Sequence, residues 1–333
     1  PTPEQYYGKF RQDFADYDLP YPISFHVGVY DLCEPECDPF TMSYKAHLAL
    51  RSVKGDLTTH VAYYKNGLLQ ATREQQELLA EVEKAVSERQ FELWFQPQFS
   101  YPDGAIVGAE ALVRWNHPTK GMLQPAGFIP LLEKSKQVTR VDEYVWEEAC
   151  RYIKRLDEKG ITTAISVNVS RIDLRDGRAY NTLTALVKRY GVDPARLRVE
   201  ITESAYIRET ENLISEVKRF RKAGFVVEMD DFGAGYSSLN MLNDLDINVL
   251  KLDRGLVAQL GEAEKSDRIL RAVVQMAHSL GIAMIAEGVE TKQQADYLLS
   301  VGCNNMQGFY FSKPTTAQAF EKLISARRTD DIK

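Results

Sequence analysis

The sequence predicts an α/β protein whose larger part is a modified TIM (β/α)8 barrel with an antiparallel first strand, preceded by a small N-terminal α+β fragment. Three observations lead to this fold class. The 333 residues have room for one large domain and one small domain. Beyond residue 90, strand-like and helix-like stretches alternate, and eight strand candidates occur within the roughly 240 residues that such a barrel needs. Before residue 70 the predicted elements are too few for a barrel.

The N-terminal part contains three predicted elements and a connecting helix. Residues 22–30 and 58–64 have the alternation and the β-branched and aromatic content of strands, and residues 40–53 have a helical pattern. Residues 71–89 place apolar side chains at helical spacing among Glu and Lys, which is typical of an exposed helix. We therefore assign residues 1–70 to the α+β fragment and the following segment to a helix that leads into the barrel.

The barrel is predicted over residues 90–327, with 328–333 as a C-terminal tail. Its strand candidates are 91–97, 106–115, 164–170, 197–203, 225–233, 248–253, 283–290 and 305–311. Helical stretches of the length needed for crossovers lie between most of them, at 141–159, 181–189, 211–223, 265–280 and 292–301. Only a short segment with a Pro102-Asp103-Gly104 turn separates the first two strands, whereas a parallel crossover needs about a dozen residues or more. The first strand should therefore run antiparallel to the second.

Composition excludes several classes of protein. Hydrophobic residues make up 44% of the chain and charged residues 26%, which excludes intrinsic disorder as the main state. The 41 basic and 47 acidic residues give a net charge of −6, so we expect no DNA partner. No apolar run approaches the ~18 residues of a membrane span, and the N-terminus lacks a signal-peptide pattern. We expect this part of the chain to be cytoplasmic and without direct membrane contact, any membrane anchor or sensor domain belonging to a longer protein.

Polar side chains recur at the ends of the predicted strands, about one for each strand-helix unit. They are Glu110, Asn168, Glu200, Asp230, Asp231, Lys251, Asp253, Glu287, Glu290 and Gln307. In TIM barrels the carboxyl ends of the strands meet in one basin, where so many carboxylates repel one another unless cations are present. Oxygen ligands of this kind suit Mg²⁺ or Mn²⁺, and two such ions would activate water for attack on phosphorus.

Each of these residues, taken alone, is more often a helix cap or an ion-pair partner than a ligand. As a set they favour a site, because Asp, Glu and Asn are depleted in strands and their recurrence at equivalent positions has no common structural cause. Two interpretations of Arg114 are equally compatible with the sequence, a surface ion pair and a bidentate contact with a phosphate. Gly233 and Gly235 are a weak phosphate-loop signal, and we interpret their segment as a mobile loop beside Asp230 and Asp231.

The barrel region resembles the EAL-domain cyclic di-GMP phosphodiesterases over nearly its whole length. Glu110-Ala111-Leu112 is the naming motif, and VNVS, VEITES, DDFGAGYSSL, KLD, AEGVE and QGFYFSKP follow in the order of that family. The resemblance implies hydrolysis of cyclic di-GMP, a bacterial second messenger, to linear pGpG by two-metal in-line attack of water. It also implies two Mg²⁺ or Mn²⁺ ions in each site, inhibition by Ca²⁺, and a homodimer formed through the barrel.

The resemblance also assigns residue roles. The implied metal ligands are Glu110, Asn168, Glu200, Asp230, Asp231 and Glu287, and the implied catalytic residues are Glu110, Lys251, Glu287 and Asp231. The implied substrate-binding residues are Gln96, Leu112, Arg114, Asp253, Glu290 and Gln307. Glu203 is expected to stabilise the DDFGAGYSS loop. The sequence departs from the family pattern at three positions. At Glu228 and Met229, the two residues before the Asp pair, the family more often has small or apolar residues and Leu. At Phe309, Tyr is common in the family.

Residues 1–70 resemble, more loosely, the C-terminal part of a GGDEF domain, through ISFHVGVY, ALRSVKGD and THVAYY. No GGDEF motif occurs in the sequence, so we expect no cyclase activity and expect the chain to begin inside a longer protein. Two alternatives to a phosphodiesterase remain. One is a catalytically silent cyclic di-GMP receptor, which the presence of every implied ligand disfavours. The other is a regulatory scaffold for protein partners, which needs no acidic cluster.

Overall fold

The computed structural model of the protein describes residues 1–15, 17, 24–32, 38–54, 56, 58–175, 177–208, 210–234, 239–261 and 264–330. Its contacts divide the chain into two compact units, Pro1–Ala80 and Glu81–Lys333. Residues 235–238, which belong to the loop predicted after Asp231, lie outside the described residues.

The first unit is a small α+β arrangement. Its elements are α1 (Pro3–Ala15), β1 (Val27–Val29), α2 (Pro39–Ser52), β2 (Val61–Tyr63) and the first part of α3 (Leu68–Ser87). The strands β1 and β2 pair in parallel, as the intervening helix α2 allows. Asp38 caps α2 by accepting hydrogen bonds from the backbone N–H groups of Phe40 and Thr41. Strands β1 and β2 and helices α2 and α3 were predicted from the sequence, whereas helix α1 was not.

The strands of the second unit form a closed barrel. In chain order they are β3 (Phe91–Ser100), β4 (Ile106–His117), β5 (Gly121–Leu123), β6 (Ile165–Asn168), β7 (Leu197–Thr202), β8 (Val227–Phe232), β9 (Val249–Leu252), β10 (Ala283–Ala286), β11 (Asn305–Met306) and β12 (Thr315–Thr316). Eight of them close in the order β3-β11-β10-β9-β8-β7-β6-β4, and β4 pairs back onto β3. Strand β3 is antiparallel to both of its barrel neighbours, and the remaining barrel pairs are parallel. The predicted modified TIM barrel with an antiparallel first strand is confirmed.

Helices lie between the barrel strands, and one more follows the last strand. They are α4 (Pro125–Ser135), α5 (Val138–Glu158), α6 (Arg171–Leu174), α7 (Arg178–Tyr190), α8 (Glu203–Arg208), α9 (Thr210–Lys222), α10 (Leu239–Asp244), α11 (Arg254–Ala258), α12 (Glu264–Ser279), α13 (Lys292–Ser300) and α14 (Ala317–Asp330). Helix α14 was not predicted, and it continues beyond residue 327. Within the described parts of the chain, no helix is long and apolar enough to cross a membrane.

Alternation along the strands separates the core from the lumen. Phe95 of β3 is fully buried and stacks against Tyr152 of α5 and Phe320 of α14, outside the barrel wall. The neighbouring Gln96 lies opposite Glu110 in the β3–β4 register. Successive side chains of a strand point to opposite faces. Apolar residues such as Phe95 therefore pack against the helices, while polar residues such as Gln96 point into the lumen.

Candidate functional site

The ammonium group of Lys251 lies among four carboxylates at the carboxyl end of the barrel. Its Nζ is 2.7 Å from Glu287 Oε1, 2.9 Å from Glu200 Oε1, 3.2 Å from Asp230 Oδ1 and 3.4 Å from Glu110 Oε2. These residues belong to, or directly follow, β4, β7, β8, β9 and β10, so five strands contribute to one cluster. We call these five side chains the acidic ring.

Glu110 also connects the ring to two more strands. Its Oε2 accepts a 2.7 Å hydrogen bond from Nε2 of Gln307, which directly follows β11, and its Oε1 accepts a 3.4 Å hydrogen bond from Nδ2 of Asn168 at the end of β6. The structure thus brings together Glu110, Asn168 and Gln307, which are 197 residues apart at the extremes. The expectation that polar strand ends converge is met for these side chains.

The charges in the ring are strongly coupled. Burial raises the pKa of Glu200 well above its usual value, as do the neighbouring carboxylates of Glu110, Asp230 and Glu228. Burial also raises the pKa of Glu287 to about 8, against the opposing effect of Lys251. Burial by itself would lower the pKa of Lys251, but the four carboxylates raise it well above the usual lysine value. The ring therefore contains its own cation, Lys251, whereas the sequence led us to expect that only bound metal ions would balance the carboxylates.

The adjacent residues Asp230 and Asp231 lie where β8 loses its regular pairing. The β8–β9 register shifts between Met229 and Phe232, and Asp231 has a φ of 57°, which is a left-handed conformation uncommon for a non-glycine residue. The backbone N–H of Asp231 donates to Asp230 Oδ1 at 2.9 Å. Burial and the Asp230 carboxylate raise the pKa of Asp231 to about 6. The break in strand geometry is what we expected would be needed for both carboxylates to serve one site.

Glu203 contacts the segment that follows this pair. The backbone N–H of Gly233 donates to Glu203 Oε2 at 3.2 Å, and Glu203 is buried. Gly233 has a φ of 97°, and a Cβ there would lie 2.2 Å from Leu256 Cδ1, so only glycine fits. The contact is consistent with the expected loop-stabilising role, although the loop beyond Ala234 is outside the described residues.

The ring has the chemistry of a hard-cation site. Glu200 Oε1 and Glu287 Oε1 contact the Lys251 ammonium, whereas the buried Glu200 Oε2 has no hydrogen-bond partner among the described residues. Four carboxylates face one ammonium, which leaves an excess of negative charge and raised carboxyl pKa values. Within the described chain, no three such side chains are grouped in a metal-binding geometry, and the carboxylates instead close on Nζ. The unpartnered Glu200 Oε2 and the excess of carboxylate over ammonium fit Mg²⁺ or Mn²⁺.

Arg114 lies beyond the ring on β4 and is only 7% exposed. Its guanidinium carbon lies 5.6 Å from the centre of the Trp94 ring, and its Nη1 donates to the Val113 carbonyl. Burial lowers its pKa from the usual arginine value. Arg114 forms no ion pair within the described part of the chain, so the alternative of a surface ion pair is not supported.

Two other candidate residues lie at the rim with structural contacts of their own. Asp253 caps α11, since its Oδ1 accepts a 2.8 Å hydrogen bond from the Gly255 N–H. Its charge also contributes to the raised pKa of Asp231, so it lies near the ring. Glu290 is exposed, and its backbone N–H donates to Gln294 Oε1 at the start of α13. The sequence left two roles open for Asp253, a helix cap and a residue of the site, and the structure shows the helix cap.

A cavity that the sequence pattern does not predict lies beside the ring. This cavity, of about 550 Å³, is lined by residues of β4, α4, α5, the end of β6 and the segment that follows it, including Leu112, Asn168 and Asp142. Asp142 Oδ2 is buried and has no hydrogen-bond partner among the described residues. Burial, followed by the neighbouring Asp173 carboxyl, raises the pKa of Asp142 well above its usual value. A signal was present in the sequence, because Asp142 interrupts the apolar face that Val141 and its neighbours give to α5.

The fold and the ring define an EAL-type barrel, and the comparisons with known proteins agree. The family described as the EAL domain matches residues 79–314, which is most of the chain. The chain belongs to the EAL-domain family.

Relatives and solved structures support this membership. The chain is 32% identical over 274 residues to the bifunctional diguanylate cyclase/cyclic di-GMP phosphodiesterase MucR of Pseudomonas aeruginosa, covering 82% of this chain and 40% of MucR. It is 31% identical over 308 residues to the cyclic di-GMP phosphodiesterase NbdA of the same species, covering 92% and 39%. A structure of the PaMucR phosphodiesterase in complex with c-di-GMP matches with a TM-score of 0.70 and 34% identity, covering 73% of this chain and 99% of that one.

The EAL enzyme Bd1971, bound to cAMP and cyclic di-GMP, matches with a TM-score of 0.72 and 26% identity, covering 86% of this chain and 75% of that one. The chain spans about 40% of the length of the curated relatives MucR and NbdA.

Proposed function

We propose that the protein is a metal-dependent phosphodiesterase that hydrolyses cyclic di-GMP to linear pGpG. The observation that carries the proposal is the acidic ring, in which an excess of buried carboxylate surrounds Lys251 at the mouth of an EAL-family barrel. Relatives named as cyclic di-GMP phosphodiesterases support the substrate.

The ring and its neighbours would hold the metal ions. We assign this role to six residues: Glu110, Asn168, Glu200, Asp230, Asp231 and Glu287. Bound Mg²⁺ or Mn²⁺ would lower the pKa of a water molecule and stabilise negative charge at the phosphodiester in an in-line displacement.

The remaining assignments concern protein groups that act on substrate. Lys251 is a buried, protonated donor and would orient the attacking water and stabilise developing charge. Arg114, freed from any ion pair in the described structure, offers a two-pronged donor to a phosphate. The expected contacts along the rest of the substrate come from Gln96, Leu112, Asp253, Glu290 and Gln307.

The cavity beside the ring suits one guanine base. Its volume of about 550 Å³ and its mainly aliphatic walls, with Leu112 and Ile129 among them, would surround a flat ring. The unpartnered Oδ2 of Asp142 is an acceptor for the N–H groups on the Watson–Crick edge of guanine. We expect Asp142→Ala to raise KM about tenfold with little change in kcat, because it removes a ground-state contact.

The test is incubation of the purified protein with cyclic di-GMP and Mg²⁺, followed by chromatography of the products. We expect pGpG to form with Mg²⁺ or Mn²⁺, and expect Ca²⁺ to inhibit, since its larger and more flexible coordination disturbs in-line geometry. Tight binding of cyclic di-GMP without product would instead identify a silent receptor. Full hydrolysis in excess chelator would contradict metal dependence.

We further propose that the barrel, residues 90–327, carries the activity and that the GGDEF-like residues 1–70 do not. None of the proposed ligands precedes residue 90, and the matched EAL region begins at residue 79. A truncated chain beginning at Thr72 should therefore hydrolyse cyclic di-GMP. Its mass in solution, compared with that of the full chain, would test the proposed barrel-mediated homodimer. Loss of activity in a well-folded truncated chain would show that the N-terminal part takes part in catalysis.

A further inference from the structure

A second polar layer lies in the barrel beneath the acidic ring. Ser166, Arg198 and Glu228 each precede, by two residues on the same strand, one of the proposed ligands Asn168, Glu200 and Asp230. Side chains two residues apart on a strand share a face, so these three also point into the lumen, one step deeper. TIM-barrel interiors are usually filled by branched apolar side chains, so a charged layer here needs an explanation.

The layer is connected by hydrogen bonds. Arg198 Nη1 lies 3.1 Å from Glu228 Oε1, and Ser166 Oγ donates to Glu228 Oε2 at 2.8 Å. Arg198 also donates to Gln98 Oε1 at 3.5 Å and to the Val107 carbonyl at 3.3 Å. Strands β3, β4, β6, β7 and β8 are thereby joined below the ring. Glu228, one of the two residues before the Asp pair where the sequence departs from the family pattern, is the acceptor at the centre of this layer.

The layer is electrically balanced. Glu228 is fully buried, and the Arg198 side chain is 19% exposed. A guanidinium stays protonated in proteins, so removal of the Glu228 carboxylate leaves a positive charge inside the barrel. Gly108 provides the room, because a Cβ there would lie 2.9 Å from Gln98 Oε1 and 3.4 Å from Arg198 Nη1.

We propose that Arg198 and Glu228 form a positioning pair whose neutrality maintains the cation affinity of the ring above it. The inference rests on the proposed function, since it concerns the divalent ions that the ring would hold. An unpaired Arg198 beneath Glu200 and Asp230 repels a divalent cation through the low-dielectric lumen. When Arg198 is paired with Glu228, its charge is neutralised and this repulsion is absent. Glu228 therefore affects metal binding by neutralising Arg198, without being a metal ligand itself.

The experiment measures Mn²⁺ binding to substrate-free protein by calorimetry, beside cyclic di-GMP hydrolysis. We expect Glu228→Gln, which leaves Arg198 uncompensated, to weaken Mn²⁺ binding about tenfold or more. The double variant Arg198→Met with Glu228→Gln restores neutrality and should bind within about threefold of the wild type. Glu228→Asp keeps the charge and should also retain binding. A structural ion pair without electrostatic effect on the ring predicts that the double variant binds no better than Glu228→Gln.

Glu216→Gln is the matched control, because Glu216 is also buried and ion-paired with an arginine, Arg219, but lies on α9 outside the lumen. It should leave Mn²⁺ binding unchanged. If Glu228→Gln does not fold, the double variant is the test. A Mn²⁺ affinity near that of the wild type supports the proposed role of the Arg198–Glu228 pair, and a tenfold loss of Mn²⁺ affinity overturns it. If the wild type binds Mn²⁺ and hydrolyses cyclic di-GMP, and Glu228→Gln binds Mn²⁺ equally well, only this inference is overturned. Wild-type protein that binds no Mn²⁺ overturns the proposed function and this inference together.

Discussion

Two groups of buried carboxyl residues lie near the carboxyl ends of the barrel strands, and they are stabilised in different ways. In the acidic ring, four carboxylates are held by the ammonium of Lys251. In the neighbouring cavity, Asp142 faces a second carboxyl group, Asp173, whose Oδ2 accepts a hydrogen bond from the Ser170 hydroxyl. Burial raises carboxyl pKa values in both groups.

The difference shows that burial alone does not decide what an acidic side chain can do. A nearby ammonium opposes the effect of burial on a carboxyl pKa, as Lys251 does for Glu287, and so favours the charged form that binds a metal ion. A carboxyl group beside another carboxyl holds a proton and becomes a neutral hydrogen-bonding group. Replacing a carboxyl by its isosteric amide therefore separates the two: it should disable the ring and be tolerated at Asp142.

Glu110→Gln is the change expected to have the largest effect. It keeps the shape of the side chain but removes the charge that Lys251, Asn168 and Gln307 contact. We expect cyclic di-GMP turnover with Mg²⁺ to fall about a thousandfold, with no change in the unfolding temperature larger than a few degrees. Chromatographic assay of pGpG measures the first, and thermal unfolding the second. The exposed Glu158→Gln serves as control, and near-normal turnover of the Glu110 variant would remove Glu110 from the ligand set.

Lys251→Met tests the cation of the ring. Four carboxylates would then lack their buried partner, which we expect to cost about 3–5 kcal/mol of unfolding free energy at neutral pH. Millimolar Mg²⁺ should recover part of that loss, because a divalent ion replaces the missing charge. Turnover should fall about a hundredfold with a smaller change in KM. An effect on KM alone would reassign Lys251 to substrate binding.

Much of the ring was predictable from the sequence, and its internal pairing was not. The recurrence of one polar residue for each strand, from Glu110 to Gln307, follows from barrel topology and can be counted along the chain. Which atoms meet depends on side-chain geometry, so nothing in the spacing showed that Lys251 would contact four carboxylates. The charged layer of Arg198 and Glu228 had a signal, since each lies two residues before a candidate ligand.

The fold was predicted where periodicity was strong. Helix α5 and strand β4 begin and end within a few residues of the expected bounds. Strand β11 ends at Met306, well before the expected residue 311. The chain turns after Gln307, and the backbone N–H of Tyr310 then donates to the carbonyl of Val289 instead of extending the strand. Helices α1 and α14 were missed, and both lie at ends of the chain where no motif marks an element.

The pH dependence of stability should show whether the acidic ring and the adjacent Asp231 bind a metal ion. Asp231, with a pKa raised to about 6, and Glu287, raised to about 8, bind protons more tightly in the folded state than in the unfolded state. Stability of the metal-free protein should therefore fall as pH rises from about 4 toward about 8. Mg²⁺ should flatten this dependence, because it stabilises the charged carboxylates. Thermal unfolding across this range, with and without Mg²⁺, measures the difference, and identical slopes would contradict metal binding by the ring.

Asp142→Asn is expected to have the smallest effect and to define the contrast most sharply. The pKa of Asp142 is raised by burial and by Asp173, so its folded form holds a proton at pH values where the unfolded carboxyl is ionised. The neutral amide resembles that protonated acid. The variant should match the wild type below about pH 4, where the unfolded carboxyl is also protonated. It should be more stable than the wild type by about 1–2 kcal/mol at pH 5 and by more as the pH rises further, because unfolding of the wild type then releases a proton that the amide does not carry. Because Asn keeps an acceptor, KM for cyclic di-GMP should change less than with Asp142→Ala. Mg²⁺ should not alter the stability difference, whereas it should abolish the corresponding difference for Glu287→Gln. A variant that is less stable than the wild type at high pH would show that Asp142 is charged in the folded protein, and the distinction between the two groups would fail.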